Sequence, residues 1–370
     1  MNVLFCGGGT VGHISPALAI AEEFIKRDPS CKVAFVGRAD GRENEVITKK
    51  GYMHYEIHTQ GLIRKLTFKN LKAVKGVFDA EKEARAIIEN FKPDAVIGTG
   101  GYVSFPVIRA ARRLGIITAI HESNSTLGLA SKLLARGCDA VFLGTRAKNK
   151  LKNAVYTGNP VRAEFYKASK IEARVKLGIP KDAFFILSVG GSLGAEALNG
   201  ACIKMMRSLG EEKREIFHFH STGARYFEKA RAIYPEFCRK NSQMRILPYI
   251  EDMPTHLAAA DLVITRCGAM TLSEIAASGA PSILIPSPNV SANHQMKNAL
   301  YFVEMGAGVI INESDLSEST LLAVTKKLMN DDQELKQMST RAKKLCSENA
   351  AAKIVKDIEK RIAKRREQAI

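Results

Sequence analysis

The sequence lacks most of what membrane-spanning, secreted or metal-built proteins require. No apolar run approaches the ~20 residues that a spanning helix needs. No export signal precedes the first candidate strand, which is under way by Val3. Both absences lead us to expect a protein of the cytosol. Seven cysteines are scattered with no C-x-x-C pair and no metal-ligand spacing. Cys6, Cys138 and Cys267 fall within candidate strands or helices and read as reduced, small apolar residues. There is no aromatic-rich stripe and no helix-turn-helix pattern, so the chain's basic charge does not point to nucleic acid.

What is present suffices for two hydrophobic cores. A chain of 370 residues, 46% hydrophobic and 25% charged, describes two globular domains of ordinary size. Its net charge of +17 asks for a polyanionic partner, either phosphates or an anionic membrane face.

The densest cluster of signals runs from Ala260 to Asn298. Leu262-Val263-Ile264 reads as a buried parallel strand, Arg266-Cys267-Gly268-Ala269 as a turn, and Met270 to Ser278 as a helix. Thr271, Ser273 and Glu274 are expected in that helix's first turn, where unpaired N–H groups favour anions. A strand at Ser282 to Pro286 and a polar loop with Asn293, His294, Gln295 and Asn298 complete a nucleotide-sized crevice. Glu274 can accept both hydroxyls of a ribose diol, and Gln295 can bond a sugar.

Taken from the start, Asn2 to Cys6 is a strand followed by Gly7, Gly9 and Gly12 in G-x-G-x-x-G spacing, then a helix with Pro16 near its start. Lys32 to Gly37 is the second strand, and a dinucleotide enzyme would end it in an acid. Arg38 stands there instead, a residue that tolerates an NADP 2′-phosphate and keeps an NADP-dependent oxidoreductase as the competing class. Strands at Ala95 to Gly98 and Ile116 to Ile120 follow, the first leading into a second glycine turn and the second into His121-Glu122-Ser123-Asn124. After Gly178 the pattern restarts, with a strand at Phe184 to Val189, the turn Gly190 to Ala195 and a helix from Glu196. Alternating strands and helices with glycine turns at matching places predict an α/β protein of two doubly wound parallel-sheet halves facing across a cleft. The expected divisions are 1–160, 161–345 and a C-terminal helix, 346–370, packing back on the first half. The basic run Lys356 to Arg366 reads as a solvated helix face.

Gly61 to Phe78 differs in kind. Apolar Leu62, Ile63, Leu66, Phe68, Leu71, Val74, Val77 and Phe78 alternate with Arg64, Lys65, Lys69, Lys72 and Lys75, with no acid between them. That pattern suits an element lying on anionic lipid, and equally a core-packed helix with a solvated lysine face.

GGGTVGH from Gly7, GTGGYVSFP from Gly98, HESN from His121, GNPVR from Gly158, GGSLGA from Gly190, GAMTLSE from Gly268 and NHQMKNA from Asn293 occur in one order along nearly the whole chain. In these motifs the sequence resembles the MurG family of bacterial glycosyltransferases. The departures are Val11 and Ser123, where the family usually carries Gly and Gln. The resemblance implies a GT-B fold and inverting transfer of N-acetylglucosamine from UDP-GlcNAc to a lipid-linked muramyl-pentapeptide. It places the acceptor on the first domain, at the cytoplasmic face of the cell membrane, and the donor on the second, with no cofactor and no protein-held metal. No D-x-D follows a strand, in keeping with the last point. A GT-B enzyme for another lipid, such as diacylglycerol, is the nearer alternative.

Residue roles follow from the same resemblance. His13 is the candidate general base, with Glu122 its rival. UDP-GlcNAc contacts fall to Thr10, Val11 and Gly12, to Asn124 and Arg162, and to Ser192 beside the diphosphate. Ile250 is expected against the uracil, the run Ala269, Met270, Thr271, Leu272, Ser273 and Glu274 around the ribose and diphosphate, and Gln295 on the GlcNAc hydroxyls. Each has a plainer reading: a helix cap for Ser192, a turn-forming Asn124, an ion pair of Arg162 with Glu164, and dipole complementarity for Glu274.

Overall fold

The computed structural model describes residues 1–9, 11–59, 68–146, 151–191, 193–234, 236, 242–290 and 293–368, and only the backbone of residues 11, 42, 43 and 68–75. The chain forms two compact units, Met1–Arg162 with Ser347–Ile370, and Ala163–Cys346.

The first unit is built on a parallel sheet of seven strands: β1 (Asn2–Cys6), β2 (Lys32–Arg38), β3 (Met53–Ile57), β4 (Ala95–Gly98), β5 (Ile117–Glu122), β6 (Ala140–Leu143) and β7 (Ala154–Tyr156). They lie in the order β3-β2-β1-β4-β5-β6-β7. β1 is apolar on both faces because helices cover both sides of a parallel sheet. Val3 and Phe5 pack with Ile14, Ile20 and Phe24 of the Val11–Arg27 helix, while Leu4 and Cys6 pack with Val96, Val107 and Ile108 on the opposite face. The C-terminal helix, Ala350–Glu367, buries Ile354, Val355, Ile358 and Ile362 in the first of these layers.

The basic run of that helix departs from a purely solvated face. Lys356, Lys360 and Lys364 are exposed. Arg361, however, donates to the Asp139 carbonyl at 2.7 Å, Arg365 to the Gly115 carbonyl at 2.6 Å, and Arg366 to Asp94 at 2.7 Å. A four-residue spacing lines the lysines up in one stripe and Arg361 and Arg365 in the stripe beside it.

The second unit repeats the plan with β8 (Phe184–Val189), β9 (Ile216–Ser221), β10 (Met244–Leu247), β11 (Leu262–Thr265), β12 (Ser282–Leu284) and β13 (Gly308–Ile310), ordered β10-β9-β8-β11-β12-β13. In both sheets the first and fourth strands of the unit are neighbours, so the strand order reverses between them. Ligands of such sheets bind beyond the carboxyl ends of the strands at that reversal. The reversal selects the loops after β1 and β4 in one unit, and those after β8 and β11 in the other.

Candidate active site

In the first unit those loops are two glycine turns that interlock. The Gly8 N–H reaches the Gly100 carbonyl at 3.4 Å, and a Cβ on Gly7 would come within 2.6 Å of Thr99 Oγ1. His13, in the first turn of the Val11–Arg27 helix, lies against both. Its Nδ1 is 2.9 Å from the Gly8 carbonyl oxygen. A carbonyl only accepts, so Nδ1 carries the proton and Nε2 of the neutral ring holds a lone pair. Gly100 and Gly101, at φ +114° and +77°, leave room for the imidazole. A Cβ at Gly100 would stand 2.8 Å from His13 Cδ2, and one at Gly101 2.0 Å from the Gly8 oxygen.

The carboxyl end of β5 carries the second cluster. Glu122, 7% exposed, accepts four hydrogen bonds. Oε1 takes the Asn124 N–H and the Asn124 side-chain amide, both at 3.1 Å, and Oε2 takes the Gly128 N–H and the Ser131 hydroxyl, both at 2.9 Å. Four donors fill the capacity of one carboxylate. This side chain ties the loop after β5 to the start of the Leu129–Leu134 helix. His121, fully buried, has its pKa pushed down to about 4 by burial, partly offset by the Gly158 carbonyl at 3.4 Å. It is neutral at physiological pH.

In the second unit the loop after β8 turns on Gly190, Gly191 and Gly194 and leads into the Glu196–Gly210 helix. The loop after β11 leads into the Ala269–Ser278 helix. Neither helix has a side-chain cap at its N-cap residue, Ala195 or Gly268. Their leading N–H groups therefore suit an anion. Gln295, in the first turn of the His294–Glu304 helix, receives the Cys267 N–H at 3.2 Å and the Ser287 N–H at 2.9 Å on Oε1. Both partners are donors, which fixes the amide's orientation and leaves Nε2 as its donating end. Asn298 donates to the Cys267 carbonyl at 3.2 Å, and Arg266 to the Ile285 carbonyl at 3.2 Å while pairing with Glu313.

The first unit thus holds Gly12 and His13 at one strand end and Glu122 and Asn124 at another, with half-buried Arg162 closing its main segment. The second unit holds Ile250, 3% exposed, just past β10, and gathers Ala269 to Glu274 with Gln295 around the β11 turn. Thr10, Ser192, the Val11 side chain, residues 61–67 and the side chains of 68–75 lie outside the described residues. Glu274 is displaced from its expected place. The helix starts at Ala269, so Glu274 belongs to its second turn and the first turn holds no acid. The simple dipole explanation for this residue falls with that, because the effect is confined to the first turn. Sequence reasoning missed the role of Gly101 against His13, the anchoring donors Gly128 and Ser131, and the buried polar residues of β8 and β9. Among the described residues, no group of three or more His, Cys, Asp or Glu side chains is arranged to hold a metal.

Comparison with known proteins bears on both units. Residues 3–143 match the glycosyltransferase family 28 N-terminal domain, and residues 185–362 match the corresponding C-terminal domain. The chain is 40% identical to the UDP-N-acetylglucosamine–N-acetylmuramyl-(pentapeptide) pyrophosphoryl-undecaprenol N-acetylglucosamine transferase of Acetivibrio thermocellus, over 97% of this chain and 99% of that one. It is 39% identical to the enzyme of the same name from Oenococcus oeni, over 100% and 99% of the two chains. The crystal structure of Acinetobacter baumannii MurG superposes with a TM-score of 0.71 at 31% identity, covering 97% of this chain and 99% of that one. A UDP-GlcNAc 2-epimerase from Neisseria meningitidis, at TM-score 0.65 and 14% identity over 97% and 100% of the chains, shares the fold alone.

Proposed function

The chain belongs to glycosyltransferase family 28, and on that premise we propose that it moves N-acetylglucosamine from UDP-GlcNAc to the 4-hydroxyl of the muramyl sugar in undecaprenyl-pyrophosphoryl-MurNAc-pentapeptide. The observation that carries this reading is the pair of helix N-termini without side-chain caps at the strand-order reversal of the second unit, where a nucleoside diphosphate would sit. The Gly190–Gly194 loop with Ser192 takes the diphosphate, Glu274 the ribose, the backbone at Ile250 the uracil, and the Gln295 amide N–H the sugar. Arg162 neutralises the departing UDP through a bidentate guanidinium contact.

His13 is the general base. Its Nε2 lone pair removes the acceptor proton as the hydroxyl attacks the anomeric carbon from the face opposite UDP, and one displacement inverts that centre. The hydrogen bond from Nδ1–H to the Gly8 carbonyl strengthens as the ring becomes cationic, so the charge is stabilised where it develops. Glu122 acts by holding the loop that carries Asn124. Family membership speaks against the NADP-dependent alternative raised by Arg38. The test is UDP release from UDP-GlcNAc with and without a soluble lipid-linked muramyl-pentapeptide analogue. Acceptor-dependent release supports the reading, and binding without turnover contradicts it.

We place the protein peripherally on the cytoplasmic face of the membrane through the basic, acid-free stretch 61–78. No helix among the described residues is long and apolar enough to cross a membrane. In the first unit Phe78 is 49%, Leu129 62% and Leu133 59% exposed. Replacing Lys65, Lys69, Lys72 and Lys75 by Gln should reduce co-sedimentation with anionic vesicles. Unchanged sedimentation would speak against lipid contact by this stretch.

A further inference from the structure

Beneath the glycine loop of the second unit runs a hydrogen-bond chain whose every donor is determined by one backbone carbonyl. The Asn199 side chain lies 2.9 Å from the Thr222 carbonyl, which can only accept, so Asn199 presents its amide nitrogen there and its Oδ1 faces the other way. His220 Nε2, 3.1 Å from that Oδ1, must donate. His220 is fully buried and neutral, its pKa pushed down to about 4 by burial, so its Nδ1 accepts the hydroxyl of Ser188 at 2.7 Å. Ser188 in turn accepts from His218 Nε2 at 2.7 Å. All four side chains are at most 4% exposed.

The chain ends where the loop rests. A Cβ on Gly194 would lie 2.3 Å from the Thr222 oxygen, and one on Gly223 2.5 Å from both the nitrogen and Cα of Gly194. Backbone touches backbone, so the height of Gly194 follows the Thr222–Gly223 turn. We propose that Asn199, oriented by His220, is a positioning residue for the donor diphosphate: it sets the Thr222–Gly223 turn on which the Gly190–Gly194 loop is seated. The chain stops at His218 Nδ1, which is buried without a hydrogen-bond partner among the described residues. From His218 Nε2 to the Thr222 carbonyl every link is made, and breaking one leaves a further buried group unpaired. The inference rests on the reading that this loop binds the diphosphate.

The test compares Kd for UDP with Kd for uridine by calorimetry, below the measured unfolding temperature of each variant. His220→Leu and Asn199→Leu weaken UDP roughly tenfold, the scale of one buried hydrogen bond, and leave uridine unchanged. His220→Gln restores UDP binding, because its terminal amide reaches the position of Nε2. His220→Asn, which satisfies Ser188 but stops short of Asn199, does not restore it. Equal weakening of UDP and uridine, no weakening, or rescue by Asn instead of Gln overturns the proposal. Gly191→Ala, at φ +83°, separates the positioning role from the diphosphate site itself. If it weakens UDP while His220→Leu does not, the positioning role alone fails. If it leaves UDP unaffected, the loop is not the diphosphate site and both fail.

Discussion

Replacing Glu122 by Gln separates a carboxylate that holds a loop from one that moves a proton. Gln is nearly isosteric, so the change acts on the four hydrogen bonds and not on packing. Whichever oxygen becomes –NH2, it faces two former donors. On the Oε2 side the Ser131 hydroxyl can rotate and accept, but the Gly128 N–H cannot. On the Oε1 side the Asn124 side chain can turn away, but its backbone N–H cannot. One buried bond is therefore lost outright and the others lose their charge assistance. Bonds to a charged group contribute about 1.5–3 kcal/mol each, against about half that when neutral. The expected loss of stability is about 3 kcal/mol, a large share of the roughly 5–15 kcal/mol that typically separates folded from unfolded. Urea denaturation reads this directly, and kcat measured at low temperature on the folded fraction should stay within about tenfold of the parent. If Glu122 were the base, kcat of the folded fraction would fall by roughly 10²–10⁴ whatever the change in stability. A stable, inactive Glu122→Gln protein would refute the anchoring role.

Other outcomes follow from the same geometry. Gly101→Ala drives a methyl into the Gly8 carbonyl and displaces the oxygen that orients His13, so kcat should fall at least about tenfold while UDP affinity holds. Gly115→Ala has a similar φ, +71°, with nothing within 4 Å, and should cost only the roughly 1–2 kcal/mol of left-handed strain with activity retained. Stability should also fall as pH drops from 6.5 towards 4. His121 and His220 take up a proton at 6.5 when unfolded but only near 4 when folded, so unfolding binds protons throughout that window. Each should contribute up to about 3 kcal/mol of this loss, since every tenfold difference in proton affinity between the two states is worth about 1.4 kcal/mol. Urea midpoints at pH 7, 5.5 and 4.5 measure it, and a flat profile would show that these rings are solvated.

Strand runs and glycine turns were legible in the sequence because both are local. An apolar stretch such as Asn2–Cys6 declares a parallel strand, and glycines directly after it declare a close backbone approach. What those glycines approach was not legible. Gly101 shapes the surroundings of His13 from far along the chain, and Ser131 reaches Glu122 across a loop whose length carries no periodic signal. The Ala269–Ser278 helix starts one residue earlier than its apolar spacing suggests, so Ser273 as well as Glu274 lies past the first turn. Nothing in the run Ile216 to Ser221 shows by itself what His218 and His220 meet. Only the pairing of β8 with β9 brings Ser188 between them and turns two polar interruptions into a directed chain.

The central claim is a division of labour, with proton transfer at His13 and donor binding at other residues, most of them in the second unit. The most direct test measures kcat and the Kd for UDP-GlcNAc side by side in His13→Ala. With the labour so divided, kcat falls by roughly 10²–10⁴ while Kd stays within about twofold. Equal losses in both, or an unchanged kcat, would contradict it.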